Sequence, residues 1–188
     1  MMKKFRRANS SIGKFPKNER ILDGLMQLYT SEEGVGDPAD LVTLIDSAIA
    51  DNPENVDLWF GRGRIFYALK NYDESIASFK KVVELKPDLF EGNYYLGVFY
   101  TIKADEMNKV MNEKQYSSQT AYDTDLKEVN AVYMDAVPWF EKAYELKKDD
   151  VNTLDFLKSI CFRLRDEEGM MDKYNKYNTL LKEAKGEE

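Results

Sequence analysis

Few side chains in this sequence have the type and spacing to carry chemistry. Cys161 is the only cysteine, and the 188 residues include no histidine. A lone thiol with no imidazole base and no C-x-x-C partner forms neither an intramolecular disulfide nor a cysteine-based zinc cluster. The lack of histidine also removes Ser-His-Asp triads, Cys-His dyads and H-E-x-x-H zinc sites. Cys161 falls at an interior position of an apolar helical pattern, which predicts a buried structural thiol. The acidic pairs Asp105-Glu106, Asp149-Asp150 and Glu167-Glu168 are the right types for metal binding or acid–base work. Without EF-hand spacing they read as helix-end and loop charges. Gly61-Arg62-Gly63 is a lone G-x-G within a helical stretch, not a loop ahead of one, so no phosphate cradle is expected. The expectation is a non-catalytic chain with no metal and no cofactor.

Composition agrees with a folded protein of one domain: 43% of residues are hydrophobic and 32% charged. The net charge of -7 sets the bulk of the surface against nucleic acid and anionic membranes. Its distribution is uneven. Residues 1–20 hold seven Lys and Arg against Glu19 alone, a balance of +6, so the other 168 residues hold -13. Met-Met-Lys-Lys-Phe-Arg-Arg resembles the n-region of a signal peptide, but the following Ala8 to Gly13 is polar and no apolar h-region comes after it. Residues 1–21 therefore read as a basic, flexible leader. A sharper alternative is a weak contact to an acidic partner or a lipid surface through Phe5 and Phe15. No run approaches 18 apolar residues, so no membrane span is expected. The twelve tyrosines read as seam fillers at helical spacing, not as a base-stacking platform.

The elements that would position these side chains follow from periodicity. Leu41, Leu44, Ile45, Ala48 and Ile49 precede Pro53, and Ile76, Phe79, Val82 and Val83 precede Pro87. Both runs have the i, i+3, i+4, i+7 spacing of a helix with one buried face, and each proline ends its helix. Pro53 and Pro87 are 34 residues apart, a solenoid period. The clearest copy, Val56 to Leu89, places small residues Gly63 and Ser75 where two helices must cross closely. Trp59, Phe66 and Phe79 fill the seam, and Asn71-Tyr72-Asp73 supplies the turn.

Trp59, Gly63, Phe66, Ser75, Phe79, Val82 and Pro87 together resemble the tetratricopeptide repeat family. The resemblance extends to a copy over 90–150, with Tyr94, Leu96, Gly97 and Tyr100 in its first helix and Ala136, Phe140, Ala143 and Leu146 in its second. That copy is 27 residues too long. The excess, at about 105–134, continues the apolar stripe through Met107, Val110 and Met111 and returns through Leu126, Val129, Val132 and Tyr133. It reads as a projecting helical hairpin with its tip at Ser117–Thr120 and a bend or first-turn start at Pro138. A further copy at 151–184 has Leu154, Leu157, Cys161, Met170, Tyr174 and Tyr177 in place, with Lys158 at the crossing point. A degenerate copy at 22–55 completes one domain over 22–184. The implied fold is all-α: a right-handed α-solenoid of antiparallel helix pairs, similar to bacterial tetratricopeptide-repeat proteins with an elongated middle repeat.

The family's concave groove is lined by the first helix of each pair. The resemblance carries its ligand-facing positions onto Phe60, Arg64 and Tyr67, then Tyr94, Val98, Thr101 and Ile102, then Asp155, Ser159, Phe162 and Arg163. Chaperone-binding members clamp a C-terminal carboxylate with lysines, an arginine and asparagines. Phe60, Arg64, Tyr95, Asn152 and Phe156 stand there instead, so that clamp is not expected. Aromatic walls and two arginines suit an extended peptide or partner helix with apolar anchors and an acidic group. Phe60, Tyr67, Val98 and Ile102 read equally as packing between helices. The implied role is a protein-interaction scaffold or adaptor. The rival is a self-assembly protein joined through its repeat ends or through the hairpin, where Met107 and Met111 offer an adaptable contact or, alternatively, core packing. The sequence as it stands suits the cytoplasm, and a removed export signal would make it periplasmic or an envelope protein.

Overall fold

The structure, a computed structural model, describes residues 38–186. The basic leader and the first helix expected in the copy at 22–55 lie outside the described residues. Among the described residues there are seven α-helices and no strand: α1 (Pro38–Asp51), α2 (Val56–Ala68), α3 (Tyr72–Leu85), α4 (Phe90–Glu113), α5 (Gln119–Leu146), α6 (Val151–Arg163) and α7 (Met170–Lys185). They fall into two compact units, one ending at Pro87 and one beginning at Asp88.

In the first unit, α1 buries Leu41, Ile45, Ala48 and Ile49 in one cluster with Leu58 and Ile65 of α2. Burying such side chains stabilises by about 1.5–3 kcal/mol each before entropy is counted. Trp59 packs on this cluster and its indole N–H donates to the Pro53 carbonyl at 2.8 Å. The α2–α3 crossing is as close as its small residues imply. A Cβ on Gly63 would overlap the Phe79 ring outright, and the Ser75 hydroxyl donates to the Gly63 carbonyl at 2.8 Å. Phe79 and Val82 are fully buried beneath it.

Between these helices the turn is one step earlier than its polar residues suggest. Tyr72 and Asp73 already belong to α3, whose Glu74 N–H is capped by the Asn71 side chain. The chain reverses at Lys70, which has φ +57°, while Lys70 N–H and Asn71 N–H donate to the Tyr67 and Phe66 carbonyls. This is the usual helix C-terminal reversal, with lysine where glycine is the least strained residue.

The second unit is built on the long pair α4 and α5. Gly97 faces Phe140, Asp105 meets Tyr133, and Lys114 and Tyr116 meet Asp125, so the pair stays in antiparallel register to its tip. The excess residues at about 105–134 are part of this pair. They continue the same two helices, which at 24 and 28 residues run roughly 36 and 42 Å against about 20 Å for α2. The tip, Lys114–Ser118, is short and pinned. Ser118 caps α5 at the Ala121 N–H, and the hydrogen bonds from Lys114 and Tyr116 hold the Asp125 carboxyl below its usual range. Pro138 neither starts nor ends a helix. It lies inside α5, twenty residues into it, which corrects the first-turn reading.

Met111 is 3% exposed, inside the long pair with Val129, whereas Val110 beside it is 54% exposed. Met111 thus takes the packing role, and Met107 is half-buried. The last pair closes on Leu154, Leu157, Ile160, Cys161 and Leu164 from the α6 side and Met170, Tyr177 and Leu181 from α7. Its Tyr177 hydroxyl and Lys173 ammonium both donate to Glu141 of α5, at 2.7 and 2.8 Å. Burial pushes the Cys161 thiol up to about 11, the behaviour of an inert structural cysteine.

Candidate functional site

The structure gathers polar side chains on an open concavity of about 360 Å³ in the second unit. Its lining comes from α4 (Thr101, Asp105), α5 (Tyr133) and above all one face of α6: Asn152, Asp155, Phe156, Ser159, Ile160 and Arg163. That face exists because residues three and four apart share one side of a helix. Asp150 fixes the start of α6, its carboxylate accepting from the Thr153 N–H at 2.9 Å and the Thr153 hydroxyl at 2.7 Å.

Beneath the concavity lies an aromatic base. Phe156 stacks on Phe140, with ring centroids 4.8 Å apart and planes 12° apart, and Tyr94 meets both rings edge-on at 6.0 and 5.9 Å. Burial, then the nearby Asp150 carboxylate, raises the Tyr94 hydroxyl above its usual range. At the far end Arg163 lays its guanidinium over the Tyr133 ring, 4.4 Å from the centroid, and its Nη2 donates to Asn108 Oδ1 at 2.8 Å. The Tyr133 hydroxyl donates to Asp105 Oδ1. Burial, reinforced by that bond, pushes the phenol well above its ordinary value. Arg163 Nε is buried with no hydrogen-bond partner among the described residues. Tyr133 and Asp105 thus serve as a latch that holds Arg163 in place.

Of the groove residues expected from the sequence, Thr101, Asp155, Ser159 and Arg163 come together here. Thr101 is nearly buried and spends its hydroxyl on the Gly97 carbonyl at 3.0 Å. Tyr94 supports the base, and Val98 and Ile102 are half-buried on α4 without lining the concavity. Phe162 is 49% exposed, but its ring leans on Tyr174 of α7 at 5.1 Å and is not in the lining. Phe60, Arg64 and Tyr67 belong to the first unit, spaced along one face of α2. Phe60 meets Phe79 edge-on at 4.9 Å, and Tyr67 is exposed beside Tyr72.

The groove reading missed Asn152, Phe156 and Ile160 of the lining and also, from the long pair, Tyr133 and Asn108. The last two lie in the stretch taken as a projecting arm, yet they reach the end of α6. Asp105, paired with Glu106 as a helix-end charge, lies mid-helix in α4 and joins the latch. No group of three or more His, Cys, Asp or Glu among the described residues converges on a metal-sized site.

Comparison with known proteins agrees with this architecture. Residues 30–89 match the Tetratricopeptide repeat family. A MamA structure, MamA MSR-1, is similar in fold at TM-score 0.52, with 17% identity over 94% of this chain and 94% of that one. MamA AMB-1 is similar at TM-score 0.51, with 17% identity over 97% of this chain and 88% of that one. No curated protein matches the chain. The chain carries the tetratricopeptide-repeat fold, with repeat sequence matched over residues 30–89.

Proposed function

We propose that this chain is a non-catalytic protein-interaction scaffold whose second unit receives an extended segment of a partner protein in the α4–α6 concavity. The observation that carries this reading is the face of α6. Asn152, Asp155 and Ser159 are exposed and point into a hollow with Phe156 and Ile160, and none has a hydrogen-bond or ion-pair partner among the described residues. Exposed polar groups set around an apolar floor in a rigid concave frame are the elements of segment recognition: the floor supplies affinity and the polar groups fix register. The repeat fold supports the same role, since stacked helix pairs present such surfaces and bind proteins without cofactors.

A phage-displayed library of random short peptides, selected on the parent chain, tests the proposal. Selected peptides are then measured on Ser159→Trp, which fills the hollow from an exposed position, and on Ala77→Trp, an exposed change in the first unit. Loss of binding on Ser159→Trp alone supports the concavity. Equal binding on both variants would move the site elsewhere, and an empty selection would contradict the reading.

A further inference from the structure

Resting on that reading of the concavity, we infer that it takes a cationic side chain, a lysine or arginine of the partner segment, with the charge against Asp155 and the stem on Phe156 and Ile160. The charges in the hollow are unequally satisfied. Of its two carboxylates, Asp105 accepts the Tyr133 hydroxyl, while Asp155 is exposed and has no partner among the described residues. The one cation among the described lining residues, Arg163, is engaged by the Tyr133 ring and by Asn108. What the lining offers an incoming ligand is therefore an acceptor at Asp155, with the side-chain oxygens of Asn152 and Ser159 about one helical turn to either side.

Phe156 adds the second half of the argument. One side of its ring is covered by Phe140, while the residue contributes to the lining of the hollow. An aromatic ring beside a carboxylate is a place for a cation whose methylene stem is apolar, because stem and charge are satisfied together. An acidic side chain would instead face Asp155 at close range and leave this ring without a charge to attract. Arg163 does not oppose the cation strongly. Eight residues along α6 separate it from Asp155, roughly 12 Å, which exceeds the screening length of about 8 Å at physiological salt. The wider field has the same sign as Asp155, since residues 21–188 carry -13 and draw basic segments toward the surface.

The library peptides provide the probe. Peptides whose binding is lost on Ser159→Trp are sequenced and measured by calorimetry on the parent, Asp155→Asn and Asp155→Lys, with circular dichroism and melting temperature confirming each fold. The inference expects Lys or Arg in those peptides and a weakening of about tenfold on Asp155→Asn, with a greater loss on Asp155→Lys. Exchanging the peptide's cation for Glu is expected to restore binding to Asp155→Lys. Concavity-dependent peptides that bind Asp155→Asn as well as the parent, or that carry Asp or Glu directed at Arg163, would overturn the inference while leaving the concavity as the site. Peptides indifferent to Ser159→Trp, or no peptides at all, would overturn the proposed site and the inference with it.

Discussion

The two units each place an arginine over aromatic rings, and the difference between them separates a structural device from a candidate binding surface. In the first unit Arg62 lies 4.5 Å from the Phe66 ring centroid and bonds Asp46 at 2.8 Å, Glu74 at 2.9 Å and the Ser78 hydroxyl at 2.7 Å. One side chain thereby ties α1, α2 and α3 together. The hollow beside it, about 570 Å³, is lined by charges that are largely matched with each other, Arg62 with Asp46 and Lys81 with Glu84. In the second unit, among the described residues, Arg163 has one hydrogen bond and one ring, and Asp155 in the same hollow has no partner. Both units are built of packed helix pairs, and among the described residues the hollow of the second has an exposed carboxylate, Asp155, that pairs with no side chain.

The largest effect expected from breaking this comparison is at the crossing glycines. Gly63→Ala forces a methyl into the buried Phe79 ring and is expected to cost about 2–3 kcal/mol, even after the gain in helix propensity. Gly97→Ala meets Phe140 at 2.8 Å, a shallower overlap, and is expected to cost about 1 kcal/mol. Urea titration followed by circular dichroism checks both, and equal costs would mean that the two crossings are not differently packed.

Next in size is the arginine pair. Arg62→Met removes three hydrogen bonds from a side chain that is 15% exposed, but its carboxylate partners are about half exposed, so the loss expected is only about 1–2 kcal/mol. Arg163→Met is expected to lose about half as much, and the order of the two midpoints is the readout. A smaller change of opposite sign is expected at the α2–α3 turn. Lys70→Gly relieves the positive φ and should raise stability by about 0.5–1 kcal/mol, visible as a higher melting temperature.

Alkaline pH sharpens the contrast from the second unit's side. Burial raises Cys161 from 9.0 to about 11 and also raises Tyr177, which the Glu141 bond reinforces. The unfolded chain therefore releases these protons first. Stability is fully present below about pH 9 and is lost as the pH climbs toward 11, because the folded state then binds more protons than the unfolded one. Cys161→Ala is expected to flatten part of this decline in melts at stepped pH, with little change at neutrality.

The repeat itself is readable in the sequence because it is local. The 34-residue spacing of Pro53 and Pro87, and the small pair Gly63 and Ser75, encode packing between neighbours along the chain. The elongation of α4 and α5 is readable in the same way, since the apolar stripe through Met111 and Val129 never breaks. Pro138 misleads because a proline signals a helix boundary locally, whereas here the surrounding packing carries α5 through it. The latch is not readable: Tyr133 meets Asp105 across 28 residues, and Asn108 meets Arg163 across 55. No spacing rule connects them, because their meeting depends on how the long pair lies against α6. Phe162 shows the complementary error, a groove position by repeat register whose ring nevertheless leans on Tyr174.

The central claim, that the α4–α6 concavity receives a partner segment, is tested most directly by amide chemical-shift mapping with a library-selected peptide. The account predicts perturbations gathered on Thr101, Asp105, Tyr133 and the Asn152–Arg163 face of α6. Perturbations centred instead on Asp46, Trp59, Arg62 and Glu84, or at the Lys114–Ser118 tip, would contradict it.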